Sequence, residues 1–488
     1  MLKETKYKTG LLSAILLFLF IPVLQNIFHF KNIRPLKGAY VEVVNKGFSD
    51  TAWFEGSFQK NQEDFLNLYF GFHNYYIRLN NQLDYWLYKK SNTARVLVGK
   101  GDFLYTSEYI DAYYGNNFEG KNVLDERFKN IKTVQDLLAS QGILLEVVFA
   151  PGKASFYPEF IPADWQTEKK LSNYEYALDA CRKFNVRFID FNAWFLQQKD
   201  LSPYDLYPKT GIHWSNYGAL LAADSLRKDI EQQTRLNLRD IIINEIYFSD
   251  SLKDPDQDLY EDMNLFFKIP PLPMPYAKYA WGDDGNPVKP KALFIGDSYF
   301  WNIYYEGLTN NLFTDCKFWY YNNTVFPETE PVREVKKLDL SDVIKKQQVI
   351  VLMATESNIH VIGWGFIENM LELYKDEVKD AFRKKIYVNL IRESIKRDAN
   401  WMKDIELKAK SNNVSIDQMI TLDAVYIYKT DYASGEVAGI LDETVKRIKN
   451  TPQWIADITR KAKEKNISVD EMIELDAKYI YDTELKRK

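Results

Sequence analysis

The stretch that decides the fold is Lys291-Ala292-Leu293-Phe294-Ile295-Gly296-Asp297-Ser298-Tyr299. Its short apolar run at 292–295 is typical of a buried strand, and a helix is predicted to begin near Tyr299. A serine on such a strand-to-helix turn points its hydroxyl out of the sheet, and the amides of the turn face the place where an oxyanion would form. Ser298 is therefore a candidate nucleophile; in the alternative interpretation, Asp297 or Ser298 only caps the helix.

Three further apolar runs, at 144–150, 186–191 and 349–354, have the same character. Helical patterns lie between several of them, for example at 128–140 and 174–184. Buried strands that alternate with helices predict an α/β fold with a parallel sheet covered by helices on both faces. In such sheets functional side chains lie just past the carboxyl ends of the strands, which is where Ser298 stands.

Composition narrows the class of protein. The 488 residues carry a net charge of −5 and are 46% hydrophobic, which indicates a folded chain and argues against nucleic acid as the main partner. The two cysteines, Cys181 and Cys316, and the four histidines form no C-x-x-C or H-x-x-x-H spacing, so neither a metal centre nor a cofactor is predicted. The two cysteines are either bonded to each other or present as two buried thiols.

A nucleophilic serine needs a base, which is usually a histidine. His29 lies near the apolar N-terminal stretch and His73 in an aromatic helical pattern, so a structural role is expected for both. His213 stands in a turn that leads into a helix, with Ser215 as its expected cap. His213 is the predicted base, with His360, which follows the run at 349–354, as the remaining alternative.

The N-terminus contains an uncharged stretch at 10–30, close to the roughly 20 residues needed to cross a bilayer. A cleaved signal peptide would have the same character, but no small-x-small cleavage pattern follows the stretch. The prediction is a single-pass membrane anchor with residues 1–9 in the cytoplasm and the rest outside it. A helical lead-in is predicted for 31–94.

The C-terminal part, 395–488, contains a two-copy repeat. Trp401 and Ala409 recur 53 residues later as Trp454 and Ala462. Each copy has the spacing of an amphipathic helix followed by a capping box, which is Ser415 with Gln418 in the first copy and Ser468 with Glu471 in the second. Each copy is predicted to be a helical hairpin, and the pair to be an appendage on the main domain or on a partner.

Four motifs occur in one order along 95–375: Gly99-Lys100-Gly101-Asp102, Pro151-Gly152-Lys153, Gly211-Ile212-His213-Trp214 and Gly296-Asp297-Ser298-Tyr299. Together they resemble the alginate O-acetyltransferase branch of the SGNH hydrolase-like proteins. The resemblance implies a flavodoxin-like α/β domain with Ser298 as nucleophile and His213 as base. It also implies O-acetylation of an extracytoplasmic polysaccharide, with a multispanning membrane O-acyltransferase as acyl donor and with the domain in the periplasm or outside the cell.

One position departs from the family pattern, because Gly211 stands where the family has an aspartate. Asp205 or a backbone carbonyl is expected to orient His213 instead. Two other functions stay open: a non-catalytic assembly or glycan-binding factor, and a stand-alone esterase. Lys153 and Glu356 also follow predicted strands, where they would contact either substrate or solvent.

Overall fold

The computed structural model describes residues 2–38, 42–433 and 435–485. Met1 of the predicted tail and residues 486–488 of the predicted repeat lie outside the described residues, as do 39–41 in the lead-in and Ser434. The chain divides into two compact units, residues 1–367 and residues 368–488.

The strands are β1 Leu97–Val98, β2 Leu104–Tyr105, β3 Leu144–Ala150, β4 Phe188–Asp190, β5 Asp240–Ser249, β6 Met274–Gly282, β7 Lys291–Gly296, β8 Thr314–Tyr320, β9 Thr324–Phe326 and β10 Val349–Thr355. Six of them form the central sheet in the order β4-β3-β10-β7-β8-β9. The first five run parallel, and β9 pairs antiparallel with β8. The pairs β1–β2 and β5–β6 form two small antiparallel sheets.

The α-helices of residues 1–367 are α1 Leu2–Phe28, α2 Asp50–Phe54, α3 Ser57–Tyr69, α4 His73–Tyr88, α5 Ser107–Tyr114, α6 Lys121–Ser140, α7 Lys153–Phe156, α8 Asn173–Phe184, α9 Phe191–Gln198, α10 Asn216–Thr234, α11 Asp258–Asp262, α12 Phe300–Tyr305, α13 Leu308–Leu312 and α14 Leu340–Ile344. They are followed by α15 Phe366–Leu373, α16 Lys375–Arg397, α17 Ala399–Ser411, α18 Ile416–Asp431, α19 Gly435–Lys449, α20 Pro452–Lys465 and α21 Val469–Ile480.

The predicted α/β class is confirmed, because all four apolar runs contain strands of the parallel sheet. Strands β3, β7 and β10 are almost completely buried, as expected for strands covered on both faces. The run at 186–191 yields only the short β4. Its last residue, Asp190, accepts a hydrogen bond from the Ala193 amide and so begins α9.

The predicted membrane span lies in α1, where residues 8–28 are long and apolar enough to cross a bilayer. The helical lead-in predicted for 31–94 contains three helices, α2, α3 and α4. The two cysteines are buried, free thiols, so the disulfide alternative is wrong.

The C-terminal unit has the predicted hairpins, α17 with α18 and α20 with α21, separated by α19. Both hydrogen bonds of the first capping box, Ser415 with Gln418, form. In the second box the Ser468 side chain accepts a hydrogen bond from the Glu471 amide. An ion pair also repeats at a distance of 53 residues: Lys408 to Asp423 at 2.9 Å, and Lys461 to Asp476 at 3.3 Å.

Glu356 follows β10 and is buried rather than exposed to solvent, with 4% of its surface accessible. Burial raises the pKa of this carboxyl to about 7, opposed by a hydrogen bond with Ser155. A Cβ atom at Gly152 would lie 2.3 Å from the Glu356 Oε2 atom, so the two residues are in direct contact.

We expect Glu356 to reduce stability as the pH rises. The pKa of this group is higher in the folded than in the unfolded chain, so its contribution is fully present below about pH 4.5 and is lost as the pH rises through about 7. Glu356→Gln should therefore gain free energy of unfolding over wild type between pH 5 and 8, on the order of 2 kcal/mol. Urea unfolding at several pH values measures this difference. Glu328→Gln, at an exposed position, is the control, and a pH-independent difference for Glu356→Gln would contradict the expectation.

Candidate active site

Ser298, His213 and Asp258 form a continuous hydrogen-bonded chain. His213 Nε2 lies 2.8 Å from Ser298 Oγ, and His213 Nδ1 lies 2.7 Å from Asp258 Oδ2. If Nδ1–H donates to the Asp258 carboxylate, the lone pair on Nε2 faces the Ser298 hydroxyl and can accept its proton. The His213 and Asp258 side chains are 12% and 23% exposed, so the chain of bonds lies at the protein surface but is largely shielded from water.

The structure thus brings together the two residues that the sequence singles out, Ser298 and His213. His360 takes no part in the hydrogen bonds that join Asp258, His213 and Ser298, and burial lowers its pKa. Among the described residues, no group of three or more His, Cys, Asp and Glu side chains is arranged to hold a metal ion. The chemistry that this arrangement can perform is nucleophilic attack by a serine with histidine as base.

Asp258 occupies the position that the sequence analysis assigned to Asp205 or to a backbone carbonyl. That assignment is wrong, since the carboxylate facing His213 comes from the first residue of α11. Asp205 serves the site differently: its carbonyl accepts a hydrogen bond of 2.9 Å from the hydroxyl of Ser215, which caps α10.

The glycine at 211 explains how Asp258 reaches the histidine. A Cβ atom at Gly211 would lie 2.6 Å from the Pro255 carbonyl oxygen and 2.8 Å from the Asp256 carbonyl carbon. The backbone that leads to Asp258 therefore packs directly on the backbone of Gly211. An aspartate at 211 would collide with this segment, so the close approach requires the absence of a side chain there.

The Asp258 carboxylate is held in orientation by backbone groups. Its Oδ1 accepts hydrogen bonds from the amides of Ile212, at 2.9 Å, and Leu259, at 2.7 Å. The Tyr260 amide also donates to the Thr210 carbonyl at 3.1 Å. These bonds connect the histidine loop to the start of α11 and leave Oδ2 directed at His213.

Asp256 fixes the same segment, 255–258, through hydrogen bonds to two other elements. It is fully buried, and burial raises the pKa of its carboxyl to about 6. Its Oδ2 accepts a hydrogen bond of 2.7 Å from the hydroxyl of Tyr276 on β6 and one of 3.3 Å from the Asn216 side chain. The small β5–β6 sheet thus fixes the segment that carries Asp258.

Asp297 fixes the turn that carries Ser298. It is fully buried, and its Oδ2 accepts hydrogen bonds from both the amide and the hydroxyl of Thr355, each at 2.8 Å, and from the Asn358 side chain at 2.9 Å. Its Oδ1 accepts from the Tyr299 amide at 3.1 Å. The aspartate of the Gly-Asp-Ser motif therefore connects the end of β7 to the end of β10. Because the Tyr299 amide donates to Asp297, it does not point freely into the site.

The serine turn and the histidine loop are bonded to each other in both directions. The Tyr299 hydroxyl donates to the Ile212 carbonyl at 2.7 Å, and Trp214 Nε1–H donates to the Tyr299 carbonyl at 3.2 Å. The Asn302 side chain donates to the Trp214 carbonyl at 3.3 Å. Because these groups are buried, leaving any of them unpaired would cost about 1–3 kcal/mol, so they hold the distance from Ser298 to His213 fixed.

Lys153 is a buried support of the histidine loop and not a solvent-exposed residue. Its ammonium group donates to the carbonyls of Lys209, at 2.9 Å, and Gly211, at 2.6 Å. Burial lowers its pKa to about 7, opposed by the charge of Asp258. The lysine of the Pro-Gly-Lys motif therefore positions the backbone that precedes His213.

Tyr321, which follows β8, places its hydroxyl against the side chain of Ser298. Burial, followed by the nearby charge of Asp297, raises the pKa of Tyr321, so the phenol keeps its proton at neutral pH. The side chain of its neighbour Asn322 donates a hydrogen bond to the Trp364 carbonyl at 3.0 Å. Tyr321 and Asp258 are the site residues that could not be predicted from the sequence. For Asp258 the one available signal was the acidic stretch at 254–262.

We expect Gly211→Ala to disturb the site because its Cβ atom would force the segment at 255–258 away. Overpacking of this kind costs about 1–3 kcal/mol and here would also displace Asp258 from His213. The variant should show a lower melting temperature and at least about tenfold slower labelling of Ser298 by a fluorophosphonate. Gly47→Ala, where no atom lies within 4 Å of the new Cβ, is the matched control. Wild-type labelling and melting in Gly211→Ala would refute the packing argument.

Comparison with known proteins finds similarity in the part of the chain that contains His213. Residues 96–242 match the family model described as SGNH hydrolase-like domain, acetyltransferase AlgX. Two curated proteins named probable alginate O-acetylase AlgJ are similar in sequence: that of Pseudomonas putida is 24% identical over 155 residues, and that of Pseudomonas fluorescens is 28% identical over 159 residues. Each match spans 32% of this chain and 38% of the relative's length.

Similar solved structures include the O-acetyltransferase domain of P. putida AlgJ, which is 19% identical with a TM-score of 0.38 and covers 56% of this chain and 98% of that one. Pseudomonas aeruginosa AlgX is 12% identical with a TM-score of 0.37, covering 57% of this chain and 68% of its own. Bacillus cereus PatB1 is 14% identical with a TM-score of 0.33, and the match covers 49% of this chain and 91% of PatB1. The family model and the sequence relatives confirm the resemblance seen in the motifs: part of the chain, residues 96–242 in the family match, is similar to the AlgJ/AlgX-like, SGNH hydrolase-like domains.

Proposed function

We propose that this protein is an extracytoplasmic, membrane-anchored O-acyltransferase that transfers an acyl group, most simply acetyl, to a polysaccharide through an acyl-serine intermediate. The observation that carries the proposal is the unbroken chain of hydrogen bonds from Asp258 through His213 to Ser298. The names of the relatives, alginate O-acetylases, support a sugar polymer as acceptor. In this proposal Ser298 is the nucleophile, His213 the base and Asp258 the group that orients the base.

The first half-reaction loads the serine. As Ser298 Oγ attacks the carbonyl carbon of the acyl donor, its proton moves to His213 Nε2. Asp258 accepts the Nδ1 hydrogen bond throughout and stabilises the imidazolium that forms. When the tetrahedral intermediate collapses, the bond to the leaving group breaks and the leaving group takes the proton from Nε2. The product is an ester on Ser298.

The second half-reaction reverses these roles. A sugar hydroxyl gives its proton to His213 Nε2 while its oxygen attacks the acyl-serine carbonyl. Collapse breaks the ester bond to Ser298, whose oxygen regains the proton from the imidazolium. Water could enter the same step and give hydrolysis, so transfer depends on excluding water from the acyl-enzyme.

The oxyanion of both tetrahedral intermediates needs hydrogen-bond donors. The Ser298 amide on the turn after β7 is the first candidate, and the Tyr321 hydroxyl beside Ser298 is the second. The phenol of Tyr321 is protonated at neutral pH, like that of an ordinary tyrosine, and so can donate a hydrogen bond, which a phenolate cannot.

The apolar segment of α1, residues 8–28, supports a membrane anchor. In this proposal the anchor lies in the cytoplasmic membrane and Ser298 lies on the outer side. A multispanning membrane O-acyltransferase would supply the acyl group there.

Asp258 also weakens the case for a purely binding role, because that alternative was motivated by the missing carboxylate at Gly211.

Fluorophosphonate labelling tests the proposed roles. Ser298→Ala should abolish labelling of the catalytic unit, since the reacting oxygen is gone. Asp258→Asn should slow labelling roughly 10⁴-fold, the size of effect that the equivalent change has in a serine protease. Rates of labelling and of acetyl-ester turnover measure both effects on the full-length protein in detergent.

Asp205→Asn is the matched control, because the Asp205 side chain takes no part in the hydrogen-bond chain and the variant should react at the wild-type rate. Melting temperatures of all three variants separate loss of reactivity from loss of folding. Labelling that survives Ser298→Ala, or equal rates for Asp258→Asn and Asp205→Asn, would refute the assignment.

A further inference from the structure

Helix α4 has its polar and apolar faces reversed. Its buried residues are Arg78, Asn81, Gln82 and Tyr85. Its exposed face carries large apolar side chains, with exposed fractions of 37% for Tyr76, 47% for Leu79, 45% for Leu83, 54% for Trp86 and 68% for Leu87. A helix that borders water normally buries its apolar stripe and exposes its polar one. The arrangement on α4 therefore calls for an apolar neighbour outside the fold.

The polar face of α4 makes hydrogen bonds to the rest of the protein, and these bonds stabilise the reversed orientation. Three of its side chains hydrogen-bond to backbone groups of neighbouring segments: Arg78 to the carbonyls of Arg34 and Pro35, Asn81 to that of Met263, and Gln82 to the amide of Phe267. Rotating the helix to bury the leucines would leave these backbone groups without their partners, at a cost that opposes the rotation.

The apolar face continues beyond the helix. Trp86 stacks on Phe267 with ring centroids 5.5 Å apart and an interplanar angle of 16°. Phe266 and Phe267 are themselves 41% and 56% exposed. We refer to the five exposed side chains of α4, together with these two phenylalanines, as the aromatic-leucine face. Seven exposed large apolar side chains on one helix and on the segment that Trp86 contacts form a patch rather than scattered single residues, and such patches are typical of protein or membrane contacts.

The position of α4 relative to α1 identifies the contact. Gly71, in the corner between α3 and α4, packs so tightly on α1 that a Cβ atom there would lie 1.9 Å from the Pro22 carbonyl oxygen. Pro22 is six residues before the end of α1, which corresponds to about 9 Å along the helix axis. The start of α4 is therefore level with the last turns of the apolar helix.

The chain leaves α1 in a manner suited to the edge of a bilayer. The Gln25 side chain is buried; it donates to the Lys31 carbonyl at 2.7 Å and accepts from the Lys31 amide at 3.1 Å. Backbone groups near hydrocarbon need such internal partners because water is scarce there. The turn after α1 and the corner before α4 thus lie together at the level where the span ends.

We propose that the aromatic-leucine face inserts into the outer interface of the lipid bilayer and holds the catalytic unit against the membrane surface. Lipid fits better than a partner protein because the face starts only five residues after Gly71, which packs on α1. It also combines Trp and Tyr with Leu and Phe, the composition of membrane-interface belts. The proposal rests on α1 spanning the membrane and is independent of the chemistry at Ser298.

A lipid-quenching experiment on the full-length protein in nanodiscs tests this proposal. Leu83→Cys is labelled with an environment-sensitive fluorophore, and the nanodiscs contain phosphatidylethanolamine and phosphatidylglycerol with or without a brominated acyl chain. Leu17→Cys on α1 is the control inside the bilayer, and Leu201→Cys, 73% exposed, is the control in water. The native cysteines are buried and stay unlabelled under native conditions.

The expected result is a blue-shifted emission at Leu83 that brominated lipid quenches nearly as strongly as at Leu17, with no quenching at Leu201. Quenching at Leu17 with a water-like signal at Leu83 would overturn the proposal and leave the anchor intact. A Leu83 probe that is shielded from water but not quenched by lipid would also overturn it and indicate a protein contact. Fluorophosphonate labelling of the same samples reports separately on the catalytic proposal.

Discussion

The contact of the Gly211 backbone with the backbone at Pro255 and Asp256 is the constraint on which the rest of the site depends. A Cβ atom at 211 would approach the Pro255 carbonyl oxygen to 2.6 Å, so only glycine permits this packing. The packing delivers Asp258 to His213 at 2.7 Å. The carboxylate that faces His213 thus comes from a segment other than the one that carries Gly211, and the chain of bonds to Ser298 is complete.

Much of the scaffold around the site consists of buried polar groups rather than apolar packing alone. Asp297 receives four hydrogen bonds and Lys153 donates two, and both side chains are fully buried. Burying charged groups is costly even when they are paired, so such groups are a poor source of stability. Their effect here is positional, because each fixes a backbone segment that carries Ser298 or precedes His213. The hydroxyl of Ser298 and the ring of His213 can then meet without reorganisation, which favours proton transfer.

Features encoded by local pattern were predictable, and those that depend on distant contacts were not. Four apolar runs predict strands of the parallel sheet, and the spacing at Ser415 predicts a capping box that forms in full. Asp258 lies 45 residues beyond His213, and no periodicity in the sequence connects them. The spacing of aromatic residues predicts a helix at α4 but does not predict that its polar face is buried. The burial depends on hydrogen bonds to carbonyls in another part of the chain, such as that of Met263.

In the proposed mechanism Asp258, through His213, activates Ser298 for acyl transfer. The most direct test is mass spectrometry of the full-length protein after brief reaction with an activated acetyl ester. We expect a single acetyl group on the peptide that contains Ser298, formed at a much lower rate in Asp258→Asn and at the wild-type rate in Asp205→Asn. An acetyl group on another residue, or acetylation of Ser298 at the same rate in Asp258→Asn as in wild type, would contradict it.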